Sequence, residues 1–126
     1  MDDHEFPTDP AGLPEAGPSL RHDLRDGERL TLRVAPVAKR LGGTTVRMLA
    51  FNGTVPGPTL KVREGTELVV DVHNDGDLDT TVHWHGLRLD NRYDGVPDST
   101  QPPVPVGGHF SYRLQFPDPG LYWYHP

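Results

Sequence analysis

From Glu28 onward, apolar and polar residues follow one another with a period of two. Leu30, Leu32 and Val34 alternate with Thr31 and Arg33, and Val46, Met48 and Ala50 with Arg47 and Leu49. Successive side chains of an extended chain point to opposite faces, so this pattern predicts strands. Gly42-Gly43 between the two runs signals a hairpin. Leu68, Val70 and Val72 form one face of a further strand, with Val69, Asp71 and His73 on the other, before the turn Asn74-Asp75-Gly76-Asp77. Thr80–His85 predicts another strand, Phe110, Tyr112, Leu114 and Phe116 alternate again, and Leu121–His125 begins a last one.

Between these runs the chain is rich in turn chemistry. Phe51-Asn52-Gly53-Thr54-Val55-Pro56-Gly57-Pro58 combines glycines, which reach positive φ, with prolines, which fix φ near −65°. A loop rich in Asp, Pro and Gly runs from Leu87 to Gly108, and a loop of that length inside a compact domain marks function. No stretch carries a helical period. Short strands at this spacing predict an all-β, Greek-key β-sandwich over residues 28–126. Residues 1–27, with Pro7, Pro10, Pro14 and Pro18 and little apolar pattern, are expected to form an irregular or disordered N-terminal arm. The sequence stops at its last predicted strand, which leaves a sheet edge open. The expectation is therefore an incomplete domain of a longer protein.

A chain of 126 residues supports one such core. A net charge of −6 with no basic stripe argues against a nucleic-acid partner. No apolar run approaches the ~20 residues of a membrane-spanning helix. Met1-Asp2-Asp3-His4-Glu5 lacks the basic-then-apolar order of a secretion leader, and residue pattern alone assigns no compartment. The absence of cysteine excludes disulfides and thiolate catalysis. It also excludes a blue-copper electron-transfer site, which needs a Cys thiolate beside two His.

Chemistry concentrates in the histidines. In His83-Trp84-His85-Gly86, positions i and i+2 of a strand share a face about 6.6–6.8 Å apart. That spacing suits ligands of neighbouring metal ions better than one closed tetrahedral site. His125, in Trp123-Tyr124-His125-Pro126, follows an aromatic strand that would hold a ligand stiffly. The plain alternative is an exposed polar face. His73 is expected to be solvated, and His4, His22 and His109 to be ordinary surface residues. Trp84, Tyr122, Trp123 and Tyr124 are expected to pack and to fix ligand rotamers.

These features together resemble the first domain of the multicopper oxidases. The resemblance begins at Phe51-Asn52-Gly53, Val55-Pro56-Gly57-Pro58-Thr59 and Gly65. It continues through His83-Trp84-His85-Gly86 and Tyr93-Asp94-Gly95 to Pro119-Gly120 and Tyr122-Trp123-Tyr124-His125. It implies a cupredoxin-like sandwich and copper as cofactor, at type 2 and type 3 sites shared with another domain. By motif position it gives His83 to the type 2 copper, and His85 and His125 to one copper of the type 3 pair. It gives Asp94 the acidic position that orients water and helps deliver protons; the plain alternative is an Asp-Gly turn. The family's next ligand falls two residues after His125, beyond Pro126.

The activity implied is reduction of dioxygen to water at the expense of a phenolic or metal-ion substrate, outside the cell or in the periplasm. The partners implied are other cupredoxin domains of the same enzyme or of a neighbouring subunit, and the chain alone is expected to be inactive. Three rivals stay open at this stage: a non-catalytic copper-binding module, a structural sandwich with idle histidines, and a three-histidine zinc site.

Overall fold

The computed structural model describes residues 7–126. Eight strands account for nearly all its regular structure: β1 (Arg21–Asp23), β2 (Arg29–Leu41), β3 (Thr44–Phe51), β4 (Thr59–Lys61), β5 (Glu67–Asn74), β6 (His83–His85), β7 (His109–Gln115) and β8 (Trp123–His125). The only helical element among the described residues is a 3-10 turn at Asn91–Tyr93, inside the long loop. The all-β expectation holds.

Four strands form the main sheet in the order β3-β2-β5-β7. β2 is long enough to serve two neighbours. Its first half runs parallel to β5, pairing Leu30 with Val70 and Leu32 with Val72. Its second half runs antiparallel to β3 across the glycine hairpin, with Val37 opposite Met48. β5 alternates perfectly between buried and half-buried residues, as the period of two predicts. Its inner face (Leu68, Val70, Val72) meets Leu32, Val34, Tyr112 and Leu114 in a core from which water is excluded.

Opposite this face lies a two-stranded antiparallel ribbon, β6-β8. Trp84 and Tyr124 point from it into the core, with the Trp84 ring 5.7 Å from Tyr112 and 5.3 Å from Tyr124. The regular strand here is shorter than the alternation suggests. Thr80 makes an isolated bridge to Val104, and only His83–His85 pairs with β8.

Residues 7–27 carry one short strand and two isolated bridges in otherwise irregular chain. Within them, β1 runs parallel to β4, and Ala16 N–H and Ala38 N–H donate to Ala38 and Pro14 carbonyls at 2.9 Å each. Gly17 N–H reaches the Gly53 carbonyl at 3.0 Å. The arm lends backbone groups to strand edges that would otherwise lie open. Polar, proline-rich sequence can do this without alternating, which is why the pattern does not announce it. The remainder of the expected arm, including His4, lies outside the described residues.

Candidate metal centre

The ribbon register decides which side chains share a face. His83 lies directly opposite His125, Trp84 opposite Tyr124, and His85 opposite Trp123. Trp84 and Tyr124 occupy the inner face, so His83, His85, Trp123 and His125 occupy the outer one. Tyr124 fastens β8 further: its hydroxyl donates to the Pro58 carbonyl at 2.6 Å. It passes over Gly57, where a Cβ would lie 3.0 Å from the phenol oxygen.

The three imidazoles converge. One nitrogen from each lies within 4.8 Å of the others, and among the described residues no other group of three or more His, Cys, Asp or Glu side chains is so arranged. His85 Nδ1 and His125 Nε2 face each other at 3.4 Å. Two donors about 2.0 Å from one ion and 3.4 Å apart subtend an angle close to tetrahedral. The fit is also one of protonation. His83 Nδ1 lies 2.6 Å from the Asp94 carbonyl, an acceptor only, so this nitrogen carries the hydrogen and Nε2 keeps its lone pair. His125 Nδ1 lies 3.0 Å from the Pro126 carbonyl, which likewise frees Nε2. With Nε2 of His83 and of His125 free to accept, both can offer a lone pair to a metal, and His85 Nδ1 lies beside the latter.

Asp94 thus meets His83 twice, through its carbonyl and through a carboxylate oxygen 3.6 Å from Nδ1. The segment carrying it is braced against β6. Thr81 Oγ1 donates to the Gly95 carbonyl at 2.6 Å, and Val82 N–H donates to Tyr112 Oη at 3.0 Å. Gly95 has φ +73°, and a Cβ on it would stand 1.8 Å from the Val82 carbonyl oxygen. No other residue fits. The Tyr112 phenol pKa is pushed up by burial, so the hydroxyl stays neutral. Sequence reading singled out Asp94 and its Asp-Gly step, but not the hydroxyls of Thr81 and Tyr112, which bond the Gly95 carbonyl and Val82 N–H.

Trp123 differs from the other aromatics. Rather than packing inward, it stacks on His85 at 4.8 Å and on His125 at 4.3 Å between ring centroids, with 59% of its surface exposed. Gly86, with φ +90°, admits the Tyr122 ring to within 3.1 Å of where its Cβ would be. His22 sits in β1 and takes no part in the cluster.

A β-sandwich that turns a braced ribbon of convergent imidazoles outward defines the chain as a metal-binding, cupredoxin-like domain. The chain belongs to the multicopper oxidase family, whose cofactor is copper: the family model described as "Multicopper oxidase" matches residues 34–126. Multicopper oxidase MmcO of Mycobacterium tuberculosis is 45% identical over 96 residues, covering 76% of this chain and 19% of that protein. Copper resistance protein A of Pseudomonas syringae pv. tomato is 31% identical over 116 residues, covering 92% of this chain and 19% of that protein. A crystal structure of a multi-copper oxidase from Pseudomonas thermotolerans superposes with a TM-score of 0.73 at 37% identity, covering 86% of this chain and 25% of that one. The chain therefore spans about a fifth of the length of these curated relatives.

Proposed function

We propose that the chain is the first domain of a multicopper oxidase, contributing His83, His85 and His125 to a type 2/type 3 copper cluster shared with another cupredoxin domain. The observation that carries this reading is the pairing of His85 Nδ1 with His125 Nε2 at 3.4 Å beside a His83 whose Nδ1–H is taken by the Asp94 carbonyl. In this reading His85 and His125 bind one type 3 copper and His83 Nε2 binds the type 2 copper. Bound copper supplies single-electron exchange, which lets a phenolic or metal-ion reductant be coupled to reduction of dioxygen to water. The chain's own residues position and protonate. Trp123 holds the His85 and His125 rings, and the Asp94 carboxylate, 3.6 Å from His83, orients water and relays protons. Leu121, 98% exposed, and Trp123 give the cluster an apolar margin that a second domain would cover. An extracellular or periplasmic setting accompanies the family reading. No helix among the described residues is long and apolar enough to cross a membrane.

Copper titration followed by electron paramagnetic resonance tests the ligand set. Loading is expected to fall with His83→Ala, with His85→Ala and with His125→Ala. Loading unchanged by all three would overturn it. Asp94→Asn separates the two roles of that residue. It keeps the backbone carbonyl on His83, so copper loading should persist while oxygen reduction by the complete enzyme drops on the order of 10²-fold or more.

A further inference from the structure

Two histidines that the sequence leaves unrelated meet on the far side of the molecule. His73 of β5 and His109 of β7 are register partners on the outer face of the main sheet, and their rings lie 5.6 Å apart at an interplanar angle of 24°. The neighbouring residue Asn74 donates its N–H to the Gly108 carbonyl at 3.0 Å. His73 and His109 thereby fall at a non-hydrogen-bonded position, where opposed side chains come closest. At the next such position along the same strands, the Ser111 hydroxyl bonds the Asp71 carboxylate directly across them.

We propose that His73 and His109 form a second metal site, open to solvent and selective for late first-row divalent ions, copper(II) most tightly. The centroid separation equals the 5.6 Å of His85–His125, the pair whose nitrogens already face each other at 3.4 Å. His109 is exposed and His73 half-buried, so a turn of the rings about χ2 brings one nitrogen of each to a common ion. Imidazole suits copper, nickel and zinc, and two protein ligands leave the remaining positions to water. The surrounding charges are already neutralised. Asp71 is held by Arg29 at 2.7 Å, and Arg33, which flanks His73 on β2, is paired with Asp75.

The test is a zinc(II) titration of the protein read from the imidazole NMR signals, which follow each ring separately from the His83–His85–His125 cluster. His73 and His109 are expected to respond along one isotherm, at one ion per pair. His109→Phe keeps an aromatic partner and strand propensity but removes a ligand. It should weaken zinc binding at His73 on the order of 10²-fold, since the second ligand no longer binds intramolecularly. His73→Phe should do the same at His109, and His83→Ala should leave the pair's isotherm in place. Independent isotherms for the two rings, or an unchanged response of His73 in His109→Phe, would overturn the site. His109→Gln gives the same readout if the Phe variant fails to fold.

Discussion

The main sheet and the β6-β8 ribbon are held together by different means. β5 has eight residues, and Val69 to His73 pair on both sides, parallel to β2 and antiparallel to β7, so its place follows from a repeating ladder and a continuous apolar face. β6 has three residues and one strand neighbour. Single contacts at and just before it do the rest: Val82 N–H on the Tyr112 hydroxyl, the Thr81 hydroxyl on the Gly95 carbonyl, and the His83 ring on the Asp94 carbonyl. A ladder tolerates the loss of one rung, whereas a brace made of individual contacts does not. The site histidines sit where each of a few residues matters, and the sheet supplies the wall they lean on.

Gly95→Ala should break this contrast most severely. A Cβ 1.8 Å from the Val82 carbonyl forces the loop off β6 and adds left-handed strain at φ +73°. The expected cost is roughly 3–5 kcal/mol, with copper binding at His83 lost along with it. Leu114→Ala, in the fully buried face of the main sheet, should cost about 3 kcal/mol in denaturant unfolding. The two variants differ in kind, because folded Leu114→Ala protein should retain its copper stoichiometry. Tyr112→Phe removes the acceptor of a buried N–H and should cost about 2 kcal/mol. It should also shift the His83 ring resonances, which Leu114→Ala leaves in place.

The smallest effect is alkaline. Burial pushes up the phenol pKa values of Tyr112 and Tyr124, the latter to about 12. Unfolded tyrosines lose their protons near pH ~10. Above that point the unfolded chain binds fewer protons than the folded one, so stability falls as pH rises. This contribution is complete below the unfolded value and declines from there toward the folded one. Unfolding midpoints measured across that range should drop, and Tyr124→Phe should flatten the slope.

What the sequence discloses divides along the same line. Alternation located the strands of the main sheet and placed His83 and His85 on one face, because a period of two fixes orientation without knowledge of partners. The third imidazole depended on register: His125 reaches the cluster only because it lies opposite His83. The family motifs carried that information, while periodicity did not. β1 went unseen because its three residues are defined by pairing with Thr59–Lys61 and by no pattern of their own. The His73–His109 pair was hidden for the same reason, since residues 36 positions apart become neighbours only through the β5-β7 register. Trp123 was expected to pack and to fix ligand rotamers, and alternation puts it on the imidazole face, against His85 and His125.

Nitrogen-15 NMR of the imidazoles with copper(I), which is diamagnetic, tests most directly whether three lone pairs converge on metal. Coordination shifts are expected at His83 Nε2, His85 Nδ1 and His125 Nε2, with His83 Nδ1 keeping its hydrogen. Shifts at His83 Nδ1, or a copper-bound state in which the His85 and His125 signals do not move together, would contradict the account.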